Sequence, residues 1–161
     1  MDAFERLLAD NRRYAPSYRP IEGARPSRRL AILTCMDSRI DVFSALGLDL
    51  GEAHVIRNAG ARVTGDVLRS LALSSHVLGV DTVAVIEHTG CGLTGTSDAE
   101  LRALTGADVD FLAIDDHTEA IRHDVELIAS TPYLDKITLV AGFLLDIAAG
   151  VLEEVVRLAA T

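Results

Sequence analysis

The 161 residues predict an α/β domain: a mostly parallel central sheet of about four strands with flanking helices, an N-terminal helical arm and a C-terminal short edge strand. Three observations carry this reading. Short, wholly apolar runs alternate with stretches of helical periodicity, the pattern of strand-crossover-strand units. The apolar runs end in polar, glycine-bearing segments, as buried parallel strands do at their carboxyl ends. A proline-bearing segment sets the first helix apart from everything after it.

Taken in order, residues 2–14 read as an amphipathic helix with Phe4, Leu7 and Leu8 on one side and charges on the other. Residues 15–29 carry Pro16, Pro20, Pro26 and Gly23 and form an extended connector. The chain thus divides into an arm, residues 1–29, and a single domain, residues 30–161. Within the domain, 30–34 and 54–57 are strands, with a short helix over 41–46 between them and Asn58, Ala59 and Gly60 as an exit turn. Residues 66–78 have apolar positions at helical spacing and a stop at Gly79, and the β-branched run 82–86 is the third strand. Short and longer helices follow at 97–104 and 118–130, and 136–146 is the fourth strand. Residues 147–158 are open between a helix and a turn at Ala149-Gly150 followed by a short edge strand.

Composition excludes several classes. The 24 acidic residues outnumber the 15 basic ones for a formal charge of -9, and no basic block is interleaved with aromatics, so nucleic acid is not an expected partner. The longest apolar runs, such as 139–145, fall far short of the roughly 20 residues that span a bilayer, and no leader pattern opens the chain. The expectation is a soluble, cytoplasmic protein without membrane contact.

Chemistry concentrates at the predicted strand ends. Cys35 and Cys91 are the two cysteines of the chain, and His88 lies three residues before Cys91 in a glycine-flanked turn. If the strands align, two thiolates and one imidazole converge, a set that holds catalytic zinc and leaves a fourth position for water. Thiolate ligation also disfavours magnesium and calcium. Two other readings stand beside this one: buried small side chains that meet by chance, and a redox thiol pair, although no Cys-x-x-Cys motif is present. Asp37 and Arg39 share the loop of Cys35, and a close Asp-Arg pair keeps its carboxylate ionised and oriented. Such a pair is either an ordinary loop salt bridge or, beside a metal, a working one.

Three stretches then resemble the signatures of the β-class carbonic anhydrases, in the order that family shows them. They are Cys35-Met36-Asp37-Ser38-Arg39, His54-Val55-Ile56-Arg57-Asn58-Ala59-Gly60 and Glu87-His88-Thr89-Gly90-Cys91-Gly92. Gly142-Phe143-x-x-Asp146, followed by Gly150-x-Leu152, is similar to the closing strand and turn of the short bacterial members. The resemblance implies one zinc per chain on Cys35, His88 and Cys91, with Asp37 and Arg39 as a catalytic dyad and Asp37 as an alternative fourth ligand. It implies zinc hydroxide attacking carbon dioxide to give bicarbonate, with backbone N–H groups near Gly60 and Gly92 binding the substrate oxygens. His54 is a conceivable proton relay, and His76, His117 and His123 are surface or packing residues. The same resemblance implies a homodimer or a dimer of dimers with exchanged N-terminal helices, and a hairpin after residue 146.

Short relatives with the same zinc site hydrolyse carbonyl sulfide or carbon disulfide, so that activity is the first alternative; a non-enzymatic zinc protein of this fold is the second. The chain lacks the Gln that many larger members place in the site, and Leu93 stands where the family often has a second glycine.

Overall fold

The computed structural model describes residues 1–160; Thr161, the last residue of the expected domain, lies outside the described residues. Among the described residues, strands β1 (Leu30–Cys35), β2 (Ala53–Asn58), β3 (Thr82–His88), β4 (Leu139–Asp146) and β5 (Val151–Ala159) form one sheet in the order β2-β1-β3-β4-β5. The first four run parallel, and β5 returns antiparallel to β4. The helices are α1 (Ala3–Tyr14), α2 (Val42–Leu46), α3 (Gly65–His76), α4 (Asp98–Thr105) and α5 (His117–Ser130). Each starts at a residue whose side chain accepts a backbone N–H: Asp2, Asp41, Thr64, Ser97 and Asp116. Asp2 with Glu5 and Ser97 with Glu100 complete reciprocal capping boxes.

The ambiguous C-terminal stretch is a hairpin. The Asp146 carbonyl accepts from Gly150 N–H at 2.8 Å, and its carboxylate accepts from Ala148 and Ala149 N–H at 2.8 and 3.2 Å. Gly150 closes the turn at φ +69°, where a side chain would be strained. The edge strand is nine residues long rather than short, because its pairing runs the whole length of β4, from Asp146↔Val151 to Leu139↔Ala159. β4 itself starts at Leu139 instead of residue 136, since Ile137 N–H is taken by the Leu134 carbonyl in the preceding turn.

The two faces of the sheet are covered unequally. On one, α3 and α5 pack Val67, Leu71, Ile121 and Val125 onto Ala31, Leu33, Val83, Val85 and Val140. Gly142 on β4 lets α5 approach this face: a Cβ there would lie 2.2 Å from Ile121 Cγ2 and 2.9 Å from Val125 Cγ2. Gly142→Ala therefore forces α5 off the sheet, with an expected cost of about 2–3 kcal/mol and a drop in Tm of roughly 5–10 °C by thermal denaturation.

The opposite face is covered more thinly, by Phe43 and Leu46 of the short α2 with Leu101 of α4 and Ala120 of α5 at the cluster's side. A groove of about 250 Å³ remains there, lined by Leu30, Ile32, Leu48, Ala84 and Phe143, with Arg28 and Arg157 at its margin. α1 buries none of its residues, and Phe4, Leu7 and Leu8 are 76%, 65% and 58% exposed. Its connector is pinned by His54, whose Nε2–H donates to the Ala24 carbonyl at 3.1 Å while Nδ1 pairs with Ser74 Oγ at 2.7 Å. Both ring nitrogens of His54 are thus engaged in holding the connector and α3. Among the described residues, no helix is long and apolar enough to cross a membrane.

Candidate metal centre

The parallel register sets the carboxyl ends of β1 and β3 side by side. Thr34 pairs with Ile86, so Cys35 ends β1 while His88 ends β3. The turn after β3 then brings Cys91 back. Gly90, at φ +63°, makes that reversal, and Thr94 secures it by donating from N–H and Oγ–H to the Cys91 carbonyl at 3.1 and 2.6 Å.

Cys35, His88 and Cys91 are all buried, and their ligand atoms lie within 4.8 Å of one another. The two Sγ atoms are 3.9 Å apart. His88 Nδ1 lies 2.9 Å from the Thr89 carbonyl, and a carbonyl only accepts, so Nδ1 carries the proton and Nε2 presents its lone pair. That Nε2 is fully buried with no hydrogen-bond partner. An unpaired buried acceptor is costly. Beside two sulfurs, it is the arrangement a tetrahedral cation resolves, and fixing the imidazole through its other nitrogen is how metal-binding histidines are oriented. Burial pushes the Cys91 thiol up, against a hydrogen bond from Leu93 N–H that favours the thiolate.

Asp37 and Arg39 meet beside this group. Arg39 Nε and Nη2 donate to the two Asp37 oxygens at 2.9 and 2.6 Å, and Arg39 N–H adds a third bond at 2.9 Å. These bonds hold the Asp37 carboxyl well below the usual carboxylate range. Arg39 Nη2 also donates to the Gly90 carbonyl at 3.0 Å, tying the turn after Cys35 to the turn before Cys91. Asp37 Oδ2 lies 3.8 Å from His88 Nε2. With both oxygens turned to Arg39, Asp37 stands in the pair and apart from the three-ligand group.

Of the two glycines expected near substrate, Gly92 is exposed beside Cys91. Gly60 is buried at φ +71°, with a Cβ position only 2.6 Å from Leu93 Cδ1. Leu93 therefore packs onto Gly60, and the pair forms part of the apolar wall with Ile114.

Three groups received no site role in the sequence reading. Arg57 donates to three carbonyls of the Cys35 loop. Arg62 is buried in a bidentate pair with Asp124 and also donates to the Leu112 carbonyl. Glu87, fully buried and one residue before His88, meets His117 Nδ1 at 2.6 Å. Burial pushes Glu87 up to about 8, against the pull of the Arg62 guanidinium 3.9 Å away, and pushes His117 down, so burial favours the neutral form of both partners. Alternation along β3 was the available signal for Glu87, since it must face away from His88 into the α5 side.

A parallel α/β sheet with a buried Cys-His-Cys group at its strand ends and a paired carboxylate alongside defines a zinc-site enzyme of the α/β class. The family model described as carbonic anhydrase matches residues 30–143, and the chain belongs to the β-class carbonic anhydrase family. It is 41% identical over 161 residues to β-carbonic anhydrase 1 of Mycobacterium tuberculosis, covering 96% of this chain and 99% of that protein. A carbon disulfide hydrolase of Saccharolobus solfataricus is 41% identical over 114 residues, 69% of this chain and 56% of the relative. Among solved structures, the carbonic anhydrase of Streptococcus mutans superposes with a TM-score of 0.88 at 38% identity, over 97% of this chain and 99% of that one.

Proposed function

We propose that this protein catalyses the reversible hydration of carbon dioxide to bicarbonate, with one zinc ion per chain held by Cys35, His88 and Cys91. The observation that carries the reading is the unpaired, buried His88 Nε2 facing two sulfurs, with the Asp37-Arg39 pair 3.8 Å away. Zinc, when bound, supplies a Lewis acid that brings the deprotonation of water to near pH 7. The Arg39 donors hold the Asp37 carboxyl well below the usual carboxylate range, so near neutral pH it serves as an acceptor. It takes a hydrogen bond from the attacking oxygen and turns that oxygen's lone pair toward the carbon of carbon dioxide. Arg39 fixes the carboxylate for this task through its fork of donors. The N–H groups near Gly60 and Gly92 receive the oxygens of bicarbonate as they gain charge. The proton set free passes to solvent.

Hydrolysis of carbon disulfide or carbonyl sulfide is the competing activity, supported by the carbon disulfide hydrolases among the relatives. Coverage favours carbon dioxide, since the mycobacterial carbonic anhydrase aligns over 99% of its own length against 56% for the Saccharolobus protein. The zinc ligands do not separate these substrates; the walls of the pocket do. Steady-state assays of the zinc-loaded protein with each gas decide the matter. Fast carbon dioxide hydration is expected, and background hydration beside rapid sulfide release would reverse the assignment. A merely zinc-binding role is disfavoured by the intact dyad.

The working unit in this reading is a homodimer, or a dimer of dimers, in the cytoplasm. Two buried free cysteines at a metal site suit a reducing compartment. The exposed face of α1 and the open groove across the sheet match in character, and the connector, at about 3 Å per residue where extended, has the reach to carry α1 to a second copy. Deleting residues 1–20 is expected to shift the sedimenting species toward monomer and to lower activity, although every zinc ligand remains. A full-length protein that sediments as an active monomer at micromolar concentration would contradict the exchange.

A further inference from the structure

Arg57 lies next to the carboxyl end of β2 and reaches only main-chain oxygens of the neighbouring loop. Its Nε donates to the Cys35 carbonyl at 2.9 Å, Nη2 to the Asp37 carbonyl at 2.6 Å and Nη1 to the Ile40 carbonyl at 3.3 Å. These oxygens bracket the segment that carries Cys35, Asp37 and Arg39. The segment has little else to hold it on that side. Met36 N–H donates to the Asn58 carbonyl at 2.8 Å, extending the β1-β2 ladder by one bond, and Ile40 N–H closes a turn on the Asp37 carbonyl at 3.2 Å. Beyond Ile40 the Asp41 cap begins α2.

We infer that Arg57 is a positioning residue for the reaction: its guanidinium clamps the 35–40 loop so that Asp37 and Arg39 face the Cys35-His88-Cys91 group. This rests on the role given to Asp37 above. Holding the Cys35, Asp37 and Ile40 carbonyls together restricts the backbone torsions between them, and so limits the directions in which the Cα–Cβ bonds of Asp37 and Arg39 can leave the main chain. A planar fork of permanently charged donors can hold several diverging carbonyls at once, whereas a lysine ammonium is a single compact point on a flexible stem. Misplacement by about 1 Å of a catalytic group is enough to cost roughly 100-fold in rate.

The test is a pair of variants, Arg57→Gln and Arg57→Lys, each made in the native chain and in Asp37→Asn, with zinc content, Tm, kcat and KM measured for all. The expected result for Arg57→Gln is zinc content near that of the native chain, kcat lower by about 10–100-fold and KM changed less than about threefold. Arg57→Lys should recover Tm without recovering kcat. It serves as the comparison if the glutamine variant does not fold. In the Asp37→Asn background, adding either substitution should cost less than about twofold, because the group through which Arg57 acts is already gone. The visible spectrum of the cobalt-loaded protein should shift in Arg57→Gln, reporting a changed site without reference to turnover. Native kcat in Arg57→Gln, or the same loss in both backgrounds, would overturn the inference and leave Asp37 untouched. Asp37→Asn with native turnover would instead remove the Asp37 role, and the positioning role with it.

Discussion

Asp37→Ala is expected to lower kcat/KM by about 10²–10⁴-fold while zinc stays bound. The carboxylate is not among the three metal-facing residues, so the metal loses no ligand when it is removed. In the proposed mechanism, what disappears is the acceptor that orients the attacking oxygen. The guanidinium of Arg39, which now spends two donors on Asp37 and one bond on the Gly90 carbonyl, is left facing the site without its partner. That uncompensated positive charge favours capture of small anions, so inhibition by halide or nitrate should strengthen alongside the loss of rate. Elemental analysis and steady-state kinetics on the same preparation separate the effects. Turnover equal to that of the native enzyme would end the assignment of the dyad.

Cys91→Ser and His88→Ala are expected to do more, abolishing activity together with zinc. A catalytic site has only three protein ligands to begin with, and the loss of one leaves two. His88 is the harsher test. It is wholly buried, and its Nδ1–H bond to the Thr89 carbonyl is among the contacts that shape the turn before Cys91. A chain without this imidazole therefore loses both a ligand and the support for another. In Cys91→Ser the turn keeps its Thr94 bonds to the residue 91 carbonyl, so the fold should survive with zinc content below about a tenth of native. Zinc retained at the native level in both variants would move the metal to some other place.

Much of this was legible in the residues because each element carried two agreeing signals. β1 and β3 show both a short apolar run and a polar exit that bears the chemistry. α3 shows both apolar positions at helical spacing and a stop at Gly79. The C-terminal stretch was not legible from its own residues, because Ile147 to Leu158 holds alanines and leucines that suit a helix as well as a strand, and only the family resemblance pointed to the hairpin. Tertiary context decided it: Asp146 binds the N–H groups of Ala148 and Ala149, Gly150 turns the chain back, and β4 offers a free edge along its full length.

The site shows the same division. Cys35, Asp37, Arg39, His88 and Cys91 could be named from residue chemistry and spacing, and the structure brings them together. Arg57 could not be given a role in advance, since its partners are main-chain carbonyls, which no side-chain pattern reveals. Glu87 and His117 are 30 residues apart, and their meeting depends on the packing of α5 against β3. His117 was read as a surface or packing residue, and only the folded chain shows that it satisfies a buried carboxyl.

X-ray absorption at the zinc edge of the protein, purified without chelators, tests the central claim most directly. The expected result is one zinc per chain with two sulfur neighbours at about 2.3 Å, one imidazole nitrogen at about 2.0–2.1 Å and one further light atom from solvent. A protein that carries no zinc, or a zinc surrounded by nitrogen and oxygen alone, would contradict it.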